Sequence, residues 1–535
     1  MGARKAVQRF YHLTLNQIRR QIRTLMLLFC GAGALGVYLL LTLQYPLEKD
    51  VLFPLVSIGW LSHYAPGAAA LYGLCMLLLL VFYLSAYWSL RRAATSTAGL
   101  STRAAQIILL FPILAMLILV HLYPITSLEG INQAIQVRVL TAHHANPLLM
   151  PASAYSADPF TIFDDAQNLP SPAGPLWILL SAGPALLAGN NLLALVLLEK
   201  MLPILFVLGS LRLVWLIASR VAPYRRWQAL LLVGWNPLLL LETAGNGQNT
   251  SAVIFFLLLA FYLLIAGPRW LALPIWAGAA LVDSAALIFL PLLAVALWRL
   301  SPPARRARST FGSGTLALAI IITTLLPFGG VQALSALLQP LDQAGLSLPT
   351  LLSGFFQPFY GAAPATSTIN TLALACFGLW YLFILARLIR RSSLQPVSDK
   401  SLSASTLLTA GYEVPFWFFV LAAVDFQPWL ILWLIPFAAL DTRLMPWIRT
   451  TVMAGAGLLV PILLIFVTNA ALLSGSLDLF TIQLLAVLSL FAPVLAIRSG
   501  EAIYQRRRLA AALAAKEAEL AQLQRQLHSA DQASQ

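Results

Sequence analysis

Long apolar runs separated by short polar stretches fill most of this 535-residue chain. Runs at 25–43, 68–90, 107–122 and 192–218 approach or exceed the roughly 20 residues that carry a helix across a bilayer. The pattern predicts an all-α polytopic membrane protein. Expected spans fall near 25–43, 67–90, 104–124, 192–218, 228–243, 251–267, 270–282, 285–299, 312–328, 367–389, 404–424, 428–441, 450–470 and 479–498. That makes about fourteen, and an even number puts both termini on one side. The spans at 270–282 and 428–441 reach only about 20 Å at 1.5 Å per residue, so they are expected as half-buried pairs or at locally thin sites.

The segment 174–189 (GPLWILLSAGPALLAG) resembles a span but is short and carries Pro184. It is read as an amphipathic or re-entrant helix, because a full span there would invert the side assigned to the basic cluster that follows. Long external loops then cover 125–191 and 329–366, with short helices lying over the membrane domain. The expected divisions are a basic cytoplasmic stretch at 1–24, a transmembrane domain at 25–498 and a cytoplasmic helical tail at 499–535. In the tail, Leu509, Leu513, Leu520, Leu523 and Leu527 approach heptad spacing, with Lys516 breaking the seam. A solvated helical stub is the plainer reading of it and a weak self-associating coil the other.

The pattern breaks most sharply at 235–249, Trp-Asn-Pro-Leu-Leu-Leu-Leu-Glu-Thr-Ala-Gly-Asn-Gly-Gln-Asn. An apolar helix ends there in a polar, glycine-punctuated turn, and another apolar helix follows at once. Irregular backbone at membrane depth is tolerated only against protein or a wet cavity. Glu242, Asn246, Gln248 and Asn249 are therefore candidate cavity residues.

Composition narrows the classes. With 60% hydrophobic and 10% charged residues and mean hydropathy +0.83, a soluble protein is excluded. The net charge of +14 suggests nucleic acid, yet the cations sit in clusters between spans, such as Arg19, Arg20 and Arg23, or Arg305, Arg306 and Arg308. That is the positive-inside pattern, with membrane lipids rather than nucleic acid as the secondary partner. The first apolar run is full-length and lacks a small-residue cleavage site, so it is read as a retained span. Cys30, Cys75 and Cys376 lie in apolar runs and show no disulfide or metal spacing.

Chemistry is most concentrated after the third span. Glu129 and Arg138 are nine residues apart, about two and a half helical turns, and are expected on roughly one side of a helix. A carboxylate facing a cavity suits a general base for a hydroxyl, and an arginine suits a phosphate oxygen; an exposed ion pair is the plainer alternative. Lys200, beside Glu199, and Glu413 are charges inside spans and so candidates by default, with no partner for Glu413 visible. Asp158, Asp164 and Asp165 could include a second carboxylate or a ligand for a divalent metal, a solvated loop being the commoner role. The adjacent His143 and His144 suit chelation poorly.

The order of these features resembles the GT-C glycosyltransferases, specifically the polytopic mannosyltransferases that use polyprenol-phosphate sugars. The residues carrying the resemblance are Glu129, Arg138, Asn146-Pro147, Gly174-Pro-Leu-Trp177, Trp235-Asn-Pro-Leu238, Glu242, Gly245-Asn-Gly-Gln-Asn249 and Phe426-Gln-Pro-Trp429, across roughly 104–441. The resemblance implies an inverting transferase that moves a hexose, mannose being the expected sugar, from a polyprenyl-phosphate carrier to an extracytoplasmic glycan or lipid acceptor. Glu129 would be the base and Arg138 and Lys200 would hold phosphate. The 242–249 turn, Gln427 and Trp429 would shape the cavity. A bacterial plasma membrane, with the working face outside and both termini inside, is the expected location.

The chain departs from that pattern. Glu129 stands where Asp is usual, and Gln248 and Thr250 stand where the family has His and Asp. Asp283 occupies the place of a Lys that meets the carrier phosphate. These departures motivate a first alternative, a catalytically degenerate relative that binds a lipid-linked sugar or a partner; a transporter or flippase of a lipid-linked substrate is the second. No internal repeat supports the latter.

Overall fold

The structure is a computed structural model in which residues 2–53, 58–94, 100–338, 345–391, 403–469, 478, 480–504, 507 and 516 are described. Among these the regular elements are helical, and the one extended contact is an isolated bridge between Pro46 and Leu122. We number the helices used below α1 (Gly2–Gln44), α2 (Pro66–Ala94), α3 (Thr102–Leu119), α4 (Glu129–Thr141), α5 (Pro175–Ala188), α6 (Leu192–Val221), α7 (Thr250–Ala266), α8 (Ala272–Val282), α9 (Arg306–Leu325), α10 (Ala362–Arg391), α11 (Ala404–Leu421), α12 (Leu444–Pro461) and α13 (Phe480–Tyr504).

Among the described residues, nine helices are long and apolar enough to cross a membrane. They coincide with nine of the fourteen expected stretches and make this a multi-pass membrane protein. Their outward faces carry large apolar side chains, such as Leu28, Phe29, Leu77, Leu114, Leu205 and Phe383. In water such a surface would be prohibitive; in lipid it is the natural boundary.

Of the other five expected stretches, 251–267 is the 17-residue α7, and four differ. Stretches 270–282, 285–299 and 428–441 correspond to the shorter apolar helices Arg269–Val282, Ser284–Leu300 and Pro428–Leu440. The expected span 228–243 is not one helix. Arg226–Gly234 ends at Trp235, and a new short helix begins at Pro237. Pro237 has no N–H to continue the ladder, and the Asn236 side chain caps the new start by accepting from the Leu239 amide at 3.2 Å. Pro237–Gly245 then meets α7 at 119°. The turn between them contains Gly247 at φ +82°, a left-handed conformation that favours glycine.

Segment 174–189 forms the 14-residue α5, about 21 Å long and so too short to cross a bilayer. Pro175 opens it, Gly189 at φ +57° closes it, and it packs against α4, α6 and α8. Gly174 presses on the end of α8: its amide donates to the Val282 carbonyl at 3.0 Å, and a β-carbon there would stand 2.1 Å from the Leu281 oxygen. The expected loop 329–366 contains two short helices, Val331–Leu338 and Leu348–Tyr360. The heptad leucines of the tail lie outside the described residues.

Candidate functional site

The polar turn is tied to the chain that precedes α4. Glu242 and Asn246 are one helical turn apart, and Asn246 Nδ2 donates to Glu242 Oε2 at 2.8 Å. Thr126 Oγ1 donates to Glu242 Oε1 at 2.8 Å and accepts from Asn246 Nδ2. The Ile125 amide donates to Asn246 Oδ1 at 3.1 Å. One residue further on, Gln248 Nε2 donates to Ser127 Oγ at 3.1 Å, and that same oxygen accepts from the Glu129 amide at 3.1 Å. The backbone that starts α4 is therefore seated on the broken helix. Leu241–Gly245 is wound as a π-turn, a form frequent at functional sites.

Glu129 emerges from this junction into a cleft of about 450 Å³. Thr126, Ser127, Asn132, Asp165, Gln427 and Trp429 also line it, and its lining contains no Lys, Arg or His. Gln133, one turn along α4, donates to Glu129 Oε1 at 3.0 Å. Burial raises the Glu129 carboxyl above its ordinary value, the Gln133 hydrogen bond opposes this, and the nearby Asp165 and Asp425 add to the rise. A carboxylate so placed can accept a proton from a hydroxyl brought into the cleft. Gln427 is turned toward Asp425, to which its amide donates at 3.2 Å.

The remaining expected residues lie elsewhere. Nine residues along a helix amount to half a turn beyond two full ones, so Glu129 and Arg138 face opposite ways, contrary to the expectation of one side. Arg138 lines a separate cleft of about 460 Å³ with His143, Tyr155 and Asp158. Each nitrogen of its guanidinium donates once: Nε to Asp158 at 2.9 Å, Nη1 to the Gly189 carbonyl at 2.8 Å and Nη2 to Asn190 at 3.3 Å. It also lies 4.2 Å from the centre of the Phe160 ring. His143 Nε2 meets the same Asp158 oxygen at 3.0 Å. Burial would raise the Asp158 carboxyl, but the Phe160 amide, Arg138 and His143 together hold it below its ordinary value.

Lys200 packs beside Gly247, yet its buried ammonium points at the carbonyls of Val120 and Leu122, just past the end of α3. Free carbonyls at a helix C-terminus attract a cation. Asp283 follows α8 and caps the next turn, accepting from the Ala285 amide at 2.9 Å. Asn249 precedes α7 and is buried without a side-chain cap.

Sequence reasoning missed several partners. Thr126 and Ser127 were visible as a polar pair just before Glu129 but were not linked to the turn. Glu413 has a buried counter-ion, Arg449, whose Nη2 lies 3.0 Å from its Oε1. A lone Arg inside one apolar stretch and a lone Glu inside another was the available signal. Among the described residues no three His, Cys, Asp or Glu side chains converge as a metal site would require. The acids considered for a divalent ion do not form such a cage.

No protein-family model and no curated protein matches this chain.

Proposed function

We propose that the protein is a GT-C-like membrane glycosyltransferase and that Glu129 is its catalytic base. The observation that carries this reading is the position of Glu129, oriented by Gln133 in a cleft shared with Gln427 and Trp429, whose 125–127 wall is hydrogen-bonded to the buried 242–249 turn behind it. In the reaction, Glu129 takes the proton of an acceptor hydroxyl as its oxygen attacks the anomeric carbon of a hexose, mannose in the leading case. The bond from that carbon to the carrier phosphate breaks, and the polyprenyl phosphate leaves with the bonding electrons. Configuration inverts, and no covalent enzyme intermediate is required. Trp429 offers a face for sugar stacking, and Gln427, on exchanging Asp425, offers an amide for its hydroxyls. About fourteen membrane passes, an extracytoplasmic cleft, cytoplasmic termini and a bacterial plasma membrane belong to the same proposal.

A second reading, a degenerate relative that binds a lipid-linked sugar without transferring it, is favoured by one observation. No cation lines the Glu129 cleft. Arg138 would have to exchange Asp158, and Lys200 the Val120 and Leu122 carbonyls, before either could hold phosphate.

The test uses purified protein in lipid with labelled polyprenyl-phosphate mannose and a mixed acceptor extract. Transfer that disappears in Glu129→Gln while carrier binding persists supports the enzyme. Binding without transfer in both proteins supports the degenerate reading. Neither binding nor transfer removes the carrier from consideration.

A further inference from the structure

The chain between α4 and α5 contains three aspartates, and each is gripped from α4 or just beyond it. Asn132 donates to Asp165 and accepts from its amide at 3.3 Å. Gln136 Nε2 donates to Asp164 Oδ2 at 3.3 Å. Arg138 and His143 hold Asp158. The same segment supplies Asp165, Ala166 and Leu169 to the Glu129 cleft, so these grips set the position of one cleft wall.

Two details at the middle grip do not suit an ionised carboxylate. Asp164 is 0% exposed, and its hydrogen-bond partners are uncharged: the Gln136 amide and the Ala166 backbone N–H at 2.9 Å. Gln136, itself only 2% exposed, leaves its Oε1 without any partner. A buried acceptor without a donor is costly, and so is a buried carboxylate without a cation. One proton on Asp164 relieves both. The carboxyl O–H can then donate to Gln136 Oε1 while Gln136 Nε2 donates back, the reciprocal pairing of an acid with an amide.

We propose that Asp164 and Gln136 form a proton-dependent latch that seats the 158–169 wall of the Glu129 cleft when Asp164 is protonated and releases it when Asp164 ionises. Loss of the proton to water leaves a buried anion with two uncharged donors and no cation, and Gln136 Oε1 again without a donor, so the segment must open to hydrate both. The charged groups near Asp164 reinforce this direction: Asp165 beside it and Glu129 on α4 both disfavour a second negative charge. Arg138 and His143 are spent on Asp158 and offer it no counter-charge. Burial first, then these two acids, raise the Asp164 carboxyl to about 7 against the Ala166 and Gln136 hydrogen bonds. Because the folded value lies above the unfolded one of about 3.9, the latch is fully closed at acidic pH and is lost as pH rises through neutrality.

The test places spin labels at Ile162→Cys, on the segment, and Leu187→Cys, on α5, both exposed positions, in a protein whose exposed Cys376 is replaced by Ser. Double electron–electron resonance is recorded in lipid from about pH 5 to about pH 9, a range that brackets the expected midpoint. The latch predicts one narrow distance at the acid end that broadens with a midpoint near neutrality. Asp164→Asn, which keeps an amide donor for Gln136 Oε1 and cannot ionise, should stay narrow throughout. An unchanged wild-type distribution across the range overturns the proposal. A transition that persists in Asp164→Asn also overturns it, because a group other than Asp164 then drives it. If Asp164→Asn does not fold, the wild-type series still separates a latch from a fixed wall.

Discussion

Gly130 lies so close to Asn246 that a β-carbon on it would stand 2.1 Å from the Asn246 carbonyl oxygen. The obstacle is backbone on both sides, so no side-chain rotation can relieve it. This contact sets the first turn of α4 against the break in the Pro237–α7 pair, and Glu129 is the neighbouring residue. Gly130→Ala should therefore destabilise the protein by about 1–3 kcal/mol, the usual cost of overpacking. Thermal unfolding in detergent should show the loss, and ligand binding in the Glu129 cleft should weaken with it. Gly36→Ala, at a glycine with open space around it, is the control expected to change little.

Glu129 and Gln133 predict a shift in pH dependence. A base must be ionised to work, so transfer should rise with pH around a midpoint above the ordinary glutamate value of about 4.3. The Gln133 hydrogen bond favours the ionised form. Gln133→Leu should therefore move that midpoint higher still. A pH–rate profile identical to wild type would disprove the role given to this pair.

Arg138 predicts a structural rather than a phosphate-binding phenotype. Arg138→Met leaves the buried Asp158 with only His143 and the Phe160 amide. Breaking a buried pair from one side costs about 3–5 kcal/mol. Since Asp158 is held below its ordinary value, the stability it contributes is present above about pH 3.9 and fades as the pH falls further. Urea unfolding at neutral and acid pH should show the Arg138→Met deficit shrinking toward the acid end.

Glu413 and Arg449 join α11 to α12 through a fully buried guanidinium that also sits 4.8 Å from the Phe416 ring centre. Arg449→Met alone should cost about 3–5 kcal/mol because Glu413 is left without its closest cation. Combining it with Glu413→Leu should recover much of that loss, since two apolar side chains replace the pair. A double-mutant cycle on unfolding midpoints measures the coupling, and strict additivity would argue that the pair is not coupled.

Spans and the broken turn were legible because each is written in consecutive residues. Twenty apolar positions announce a crossing helix, and Asn-Pro followed by Gly-Asn-Gly-Gln announces an interruption. The environment of Arg138 was harder to read, because its side depends on helical phase and its partner Asp158 lies twenty positions on, in irregular chain. Glu413 was conspicuous alone, but its pairing with Arg449, just before the expected 450–470 span, depends on how α11 and α12 pack. The partners of Glu242 and Gln248 come from Thr126 and Ser127, more than a hundred positions earlier. No periodicity encodes such a pairing. The Gln136–Asp164 pair remained hidden for a further reason: an amide oxygen lacking a donor is visible only once every other group has been placed.

The 119° bend between Pro237–Gly245 and α7 also bears on how the chain is made. A ribosome delivers residues in order, so Thr126 and Ser127 are in place long before Glu242 and Gln248 emerge. Glu242 alone would hinder the entry of an apolar segment into lipid, but it meets a hydroxyl already waiting for it. The helix break is thus completed by an earlier part of the same nascent chain, and a protein cut between α4 and α6 would leave its later half with an acid held by Asn246 alone.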